Sequence, residues 1–377
     1  MNRIDLDHNA TTPMADDVIE RVAEVMRDAA GNPGSRHAAG RKARQVLEES
    51  RERVAEQLGA RGSEVVFTSG GTESINTAIL GLARGSDAVV ALPPGEHPAT
   101  ERTVDRLTTR GWKELRLPID TTGRLLNDRL HQFDWSNVRL ATALLAHNET
   151  GVLQDLSPLV ELCRQHRVPL HVDGVQAVGK VPVHFHQLGA TALSAGGHKF
   201  NGPRGIGLLL IRDGVRLSPL LSGGHQETGR RAGTEPIALI AGLTLALEQA
   251  VGQLEWRANH MRTLRDRLQS GLLQLDPTAV VHGDQTHRLP NTLCISFPGR
   301  DGDSLLVALD LAGVCCSMGS ACSSGSSEPA PILVAMGVPP EQYRSALRFS
   351  VGPSNTEAEI DTALQRIQRI LHRKGQS

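Results

Sequence analysis

The sequence predicts an α/β protein: a large domain with a mostly parallel sheet covered by helices, plus a smaller α+β domain. Three observations predict it. Up to about residue 250, apolar segments of roughly four to eight residues alternate with longer stretches of helical period. A helical stretch at 236–275 has no proline after its first residue and could carry the chain from one domain into another. Beyond it come shorter strands and helices. The 377 residues also exceed one ordinary domain of about 150 residues.

In chain order, the expected strands of the large domain are 64–68, 88–92, 138–145, 169–172, 192–194 and 205–211, each a short apolar run. Helices are expected at 36–58 and 157–166, where the helical period is sustained. The boundary falls near residue 250, so 14–250 forms the large domain, while 1–13 and 251–377 form the small one. The small domain is expected to hold strands 293–297 and 347–351, helices 303–311 and 357–371, and a mobile Ser/Gly-rich segment at about 315–328. The chain shows no internal repeat.

Composition narrows the function. Lys and Arg total 40 against 41 Asp and Glu, so a net charge of −1 gives no general pull toward nucleic acid or an anionic membrane. Hydrophobic residues at 39% and charged residues at 21% place the chain among folding globular proteins and exclude disorder. The longest apolar runs, 140–146 and 206–211, fall far short of the roughly 18–20 residues that cross a bilayer. Neither a nucleic acid nor a membrane is expected as partner. The N-terminus, MNRIDLDHNATTP, carries acids where a secretory signal has a basic stretch and an apolar segment, which predicts a cytoplasmic location. Cys163, Cys294, Cys315, Cys316 and Cys322 are odd in number and sparse, which argues for reduced thiols.

Three stretches carry candidate chemistry. In His171-Val172-Asp173-Gly174-Val175-Gln176, Asp173 follows an apolar strand, and ligands of parallel sheets sit beyond the carboxyl ends of strands. A carboxylate there needs a cation or hydrogen-bond donors, and a pyridinium nitrogen would serve; alone, it reads equally well as a turn residue. In Gly196-Gly197-His198-Lys199, a lysine in a glycine-rich turn is a candidate Schiff-base amine, because burial disfavours its ammonium form. An isolated lysine would instead read as a solvated loop residue. In Thr68-Ser69-Gly70-Gly71-Thr72-Glu73-Ser74, a strand end and two glycines precede a helical start, which suits either an anion or an ordinary helix cap. His198 could donate to the same anion.

These residues resemble the pyridoxal 5′-phosphate (PLP) dependent cysteine desulfurases of the class V aminotransferase group, whose fold is the PLP-transferase fold type I. The resemblance runs in order through LDHNATTP, GNPGSRH, TSGGTES, GEHPA, HNETG, HVDGVQAVGK, GGHKFNGPRGIG, RRAGTEP, GSACSSGSSEP and LRFSVG. It implies that Lys199 bonds the cofactor's aldehyde and that Asp173 keeps the ring nitrogen protonated. Gln176 would bond the phenolic oxygen, and His97 would stack on the ring and help to move protons. Gly71, Thr72 and His198 would hold the phosphate, which Thr234 would reach from the other subunit of a homodimer. Asn148, near the cofactor, and Arg348 look like the groups that orient the substrate carboxylate, Arg348 by a two-pronged contact.

The implied activity converts L-cysteine to L-alanine and leaves its sulfur as a persulfide on Cys322. Fe–S cluster assembly or another sulfur-using pathway would then receive it through an acceptor such as a scaffold protein. Lys199, His97 and Cys322 are the expected catalytic residues. Beyond a transient role for Cys322 as a cluster ligand, no metal is expected, because no second CxxC or paired histidines accompany the cysteines. Cys163 and Cys294 read as core residues, and Cys315-Cys316 as the end of a strand beside the cysteine segment. Related enzyme readings are a selenocysteine lyase and a cysteine-sulfinate desulfinase; an inactive partner-binding platform is the reading from another class. The sequence departs from the family at three places. Gly196 stands where many relatives bind phosphate through a hydroxyl, so that contact is missing or made by backbone or Ser194. Met318 replaces a small hydroxyl residue, and His8 replaces Tyr or Asn. The C-terminal residues 374–377 stop short of the tail that some relatives use to dock a scaffold, which leaves the acceptor's identity open.

Overall fold

The computed structural model describes residues 3–318 and 330–372. The chain opens with β1 (Ile4–Asp5), followed by β2 (Val65–Thr68), β3 (Val89–Leu92), β4 (Lys113–Arg116), β5 (Val138–Leu144), β6 (Leu170–Asp173), β7 (Ala192–Gly196) and β8 (Gly207–Ile211). The later strands are β9 (Val280–His282), β10 (Thr292–Ser296), β11 (Val314–Cys315), β12 (Ser317–Met318) and β13 (Ala346–Ser350). Among the described residues, β2 to β8 form one seven-stranded sheet in the order β2-β8-β7-β6-β5-β3-β4. Only β8 runs against its neighbours.

Alternation along each strand buries both faces of this sheet. Val65, Phe67, Leu208 and Leu210 face one core, with Leu47 and Val54 of helix Ala38–Leu58 and Leu243 and Leu247 of helix Ile237–Gly252. Val66, Leu209 and Ile211 face the other, with Ile75 and Ile79 of helix Gly71–Leu82 and Val104 of helix Pro98–Thr108. Burial on both sides is what turns these strands into continuous apolar runs.

The helical stretch expected at 236–275 is two helices, Ile237–Gly252 and Leu254–Leu275, bent by 74° at Gln253. Gly252 ends the first, in keeping with the weak helix propensity of glycine. No single helix among the described residues is long and apolar enough to cross a membrane. The second helix packs on an antiparallel sheet of order β12-β13-β10-β9, in a core built from Leu264, Leu268, Leu293, Ile295, Leu347 and Phe349. The N-terminal residues join this core: β1 pairs in parallel with β11, and Asp7 bridges to Ser350.

A buried ion pair pins the turn at Gln226–Gly229, in which Glu227 and Thr228 hold left-handed backbone angles. The Glu227 carboxylate accepts two bonds from Arg51, at 2.9 and 2.8 Å, and one from the Phe67 N–H at 3.1 Å. Removing the acid strands a guanidinium inside the protein, touched only by the half-exposed Glu48 among the remaining ion-pair partners of the described residues. Glu227→Ala is therefore expected to cost about 3 kcal/mol in urea unfolding, near the lower end for breaking a buried pair. A loss below about 1 kcal/mol would show that the pair does not hold the turn.

Candidate active site

Adjacent strands β5, β6 and β7 end side by side at Leu144, Asp173 and Gly196, with Leu144 and Ser194 opposite Asp173 in register. Beyond these carboxyl ends lies a cavity of about 850 Å³. Gly71, Thr72, His97, Asn148, Asp173, Gln176, His198, Lys199 and Arg348 all line it. Residues scattered over almost 280 positions thus meet because the sheet order brings their loops to one edge.

Asp173 is 1% exposed, and Val175 N–H donates to its Oδ1 at 2.9 Å. Burial raises its pKa to about 6, against the opposing pull of that N–H and of Lys199. Lys199 Nζ donates to the carbonyl oxygens of Asn9 and Ala10 at 2.5 and 2.9 Å. Gln176 donates through Nε2 to the same Asn9 carbonyl at 2.9 Å and accepts from Lys180 Nζ at 2.6 Å. Lys180 also donates to Asn9 Oδ1 at 2.9 Å, and burial holds its pKa well below the usual lysine range.

His97 caps helix Pro98–Thr108: its Nδ1 accepts the Ala99 N–H at 3.0 Å. Burial, then Lys199, lowers its pKa to about 4, so the ring is neutral at pH 7 and carries its proton on Nε2. His198 is lowered to about 4 for the same first reason, and its Nδ1 lies 3.1 Å from Thr11 Oγ1. Gly71 and Thr72 open helix Gly71–Leu82, whose first N–H groups have no partners within the helix. The glycine at 207 is sterically required, because a Cβ there would lie 2.6 Å from the Gly70 backbone. A Cβ on Gly196 would instead lie 3.4 Å from Gly71 N, a close but tolerable contact. Ser194 does not line the cavity; its Oγ sits 2.8 Å from His171 Nε2, and His171 Nδ1 lies 2.8 Å from Thr142 Oγ1.

Arg348 projects from β13, where Cys294 and Ser317 flank it in register. Its Nη2 donates to Asp7 Oδ1 at 2.8 Å, and its Nη1 to Glu149 Oε1 at 3.0 Å and to the Asn148 carbonyl at 3.2 Å. Asp7, Asn9, Lys180 and Glu149 were not singled out from the sequence, although all four lie inside quoted motifs. Lys180 follows Gln176 by four positions in a non-helical turn, and its burial beside Gln176 is seen only in the fold.

Two expected site residues stand apart. Thr234 is exposed and does not line this chain's own cavity. Cys322 lies outside the described residues, as does most of the segment 315–328; Met318 and Ala330 are its described flanks. Cys163 and Cys294 are buried, and burial pushes both thiols up to about 12. Cys315 ends β11, and burial raises it and Cys316 as well. None of these four thiols is therefore a ready thiolate. Among the described residues, no group of three or more His, Cys, Asp or Glu could hold a metal ion.

Burial disfavours the cationic imidazole, so the depressed histidines titrate below the unfolded value of about 6.5. Their contribution to stability is present above about 6.5 and is lost as pH falls toward 4, because the unfolded chain takes the protons first. NMR titration of the His97 ring should accordingly show a neutral imidazole down to about pH 5 and a midpoint near 4. A midpoint near 6.5 would contradict the enclosed site.

A family model described as Aminotransferase class-V matches residues 4–363. A cysteine desulfurase of Nostoc sp. is 40% identical over 375 residues, 99% of this chain and 94% of that protein. The cysteine desulfurase NifS of Azotobacter vinelandii is 39% identical, over 97% of this chain and 92% of its own length. A solved structure titled as a NifS-like protein superposes with a TM-score of 0.92 at 35% identity, covering 98% of this chain and 99% of that one. This chain belongs to the class V aminotransferase family, among its cysteine desulfurases.

Proposed function

We propose that the chain is a PLP-dependent cysteine desulfurase: it converts L-cysteine to L-alanine and passes the sulfur, through a persulfide on Cys322, to an acceptor protein for Fe–S assembly or other sulfur transfer. The observation that carries this reading is the meeting of Lys199, Asp173 and Arg348 in one cavity. The named activity of the relatives supports it. Four free thiols among the described cysteines suit a reducing, cytoplasmic setting. An exposed Thr234, away from its own cavity, suits a homodimer in which it serves the partner's site.

The residues present fit the cofactor. Asp173 is a buried carboxylate in need of a cation, which a protonated ring nitrogen provides. The opening N–H groups of Gly71 and Thr72, with His198 beside them, suit a phosphate. With Ser194 committed to His171, the backbone of Gly71 remains the partner on the Gly196 side. When bound, PLP supplies an electron sink for the substrate's Cα.

The chain's own groups do the rest. Arg348 binds the substrate carboxylate, exchanging part of its contact with Asp7 and Glu149. Lys199 leaves the Asn9 and Ala10 carbonyls and, as a neutral amine, carries a proton from the substrate's Cα. His97 keeps its Nε2–H toward the cavity as a donor. The Cys322 thiolate attacks the substrate sulfur: an S–S bond forms, the substrate's Cβ–S bond breaks, and the carbon skeleton takes up protons to leave as alanine.

Sulfide and alanine release from L-cysteine in the presence of a thiol reductant tests the reading. Cys322→Ser should abolish both, and full activity in that variant would remove the persulfide route. Lys199→Ala should lose the visible absorbance band of the cofactor-loaded protein; an unchanged band would exclude Lys199 as the covalent anchor. Gly196→Ser should tighten PLP binding by about tenfold in reconstitution titrations, the effect of one hydrogen bond to a charged group. Unchanged affinity would show that this position makes no phosphate contact.

A further inference from the structure

Lys180 is 4% exposed and does not line the cavity. The chain reaches it through successive turns, with the Val178 N–H on the Gly174 carbonyl at 2.9 Å and the Lys180 N–H on the Ala177 carbonyl at 3.0 Å. Gly179 between them has a left-handed backbone, with φ of 78°, and a Cβ there would lie 2.7 Å from the Phe200 Cβ. The Lys180 side chain then returns to Gln176, donating from Nζ to its Oε1 at 2.6 Å and to Asn9 Oδ1 at 2.9 Å. Among the described residues no carboxylate pairs with this amine, and the charges that bear on it, those of Lys199, Arg348 and Arg257, are all cations. Enclosing a lysine on these terms is costly, so its two hydrogen bonds need a reason.

Backbone oxygens fix the direction of both amides, whatever the charge on Lys180. Gln176 Nε2 lies 2.9 Å from the Asn9 carbonyl, and Asn9 Nδ2 lies 3.1 Å from the Asn148 carbonyl. A carbonyl only accepts, so each of these atoms is the NH₂ end, and each side-chain oxygen is the end that faces Lys180. An amine has at least two N–H groups in either protonation state, enough for both oxygens. Lys180 is the one donor to Gln176 Oε1 among the described residues. Gln176, which lines the cavity, thus has its oxygen occupied and one N–H to spare.

We propose that Lys180 is a positioning residue: by engaging Gln176 Oε1 it keeps that oxygen out of the cavity and presents the spare N–H, so that the cofactor's phenolic oxygen meets a donor and is held as a phenolate. This deepens the reading that the cavity takes PLP, and rests on it. An untethered amide could offer either end to the ring oxygen, its N–H to a phenolate or its carbonyl to a phenol. Contacts at opposite ends of Gln176 remove that choice. Hydrogen bonds in series also polarise one another, so an amide whose oxygen accepts is the stronger donor through its nitrogen.

The visible band of the PLP-loaded protein titrates with the proton shared by the phenolic oxygen and the nitrogen anchored at Lys199, and a donor aimed at that oxygen favours the proton's release. Gln176→Met should therefore raise the pH midpoint of the band by about one unit, the tenfold effect of one hydrogen bond to a charged group. Lys180→Met, which keeps the length of the side chain and loses its donors, should raise the midpoint by about half a unit, roughly threefold. In a Gln176→Met background the same change should leave the midpoint where it is, because Lys180 acts through the amide. A midpoint unmoved or lowered in Lys180→Met overturns the inference, and so does an equal rise in both backgrounds, which would show Lys180 acting by its own charge. Should Lys180→Met fail to fold, as thermal melts of the PLP-free chains would reveal, the side-chain amide protons of Gln176 in the ¹⁵N-labelled wild type decide. One of them should move downfield on addition of PLP, and a downfield shift in neither overturns the inference. A wild type that shows the band but releases no sulfide from L-cysteine counts against the proposed activity and leaves this inference standing, whereas one that takes up no PLP removes both.

Discussion

A carboxylate buried at the end of a central strand sets the terms of this site. Asp173 is almost fully enclosed, and its raised pKa registers how poorly one backbone N–H compensates for lost water. An isolated charge in such surroundings costs several kcal/mol unless a cation or further donors face it. The sheet order places that demand between the ends of β5 and β7, beside the one lysine of the glycine-rich turn. Asp173 and Lys199 therefore define both poles of a cavity suited to a cationic ring bearing an aldehyde.

The site is also where two parts of the chain are fastened together. Asn9, from the segment that joins the small sheet, accepts Lys199 and Gln176 on its carbonyl and Lys180 and Asn291 on its side-chain oxygen. Its amide nitrogen donates to the Asn148 carbonyl and to Thr292 Oγ1. Arg348 and Asp7 continue the same network to Ser317, whose hydroxyl donates to Asp7 Oδ2 at 2.7 Å. Networks this enclosed hold their members rigidly, because any broken bond leaves a polar group without water. The placement of Lys199 and Arg348 thus rests on Asp7, Asn9 and the residues bonded to them.

Much of this was legible in the sequence because it rests on short-range rules. Short continuous apolar runs alternating with stretches of helical period announced the sheet, and Gly-rich turns at strand ends announced Asp173, Lys199 and the Gly71–Thr72 helix start. The bend at Gln253 was not legible, since Gly252 alone does not distinguish a weak point in a long helix from a sharp break. Nor were the roles of Asp7, Asn9, Lys180 and Glu149, because partners such as Asp7 and Arg348 lie 341 positions apart and meet only through β1, β11 and β13. Local pattern announces where a charged residue sits along a strand; only the folded sheet says what faces it.

The central claim is that Asp173 exists to hold a protonated ring nitrogen. The most direct measurement is the ¹⁵N chemical shift of ring-labelled pyridoxal 5′-phosphate bound to the protein, followed across pH in the wild type and in Asp173→Asn. The account predicts a protonated nitrogen at and above neutral pH in the wild type and a deprotonated one in the variant. A nitrogen in the same protonation state in both proteins would contradict it.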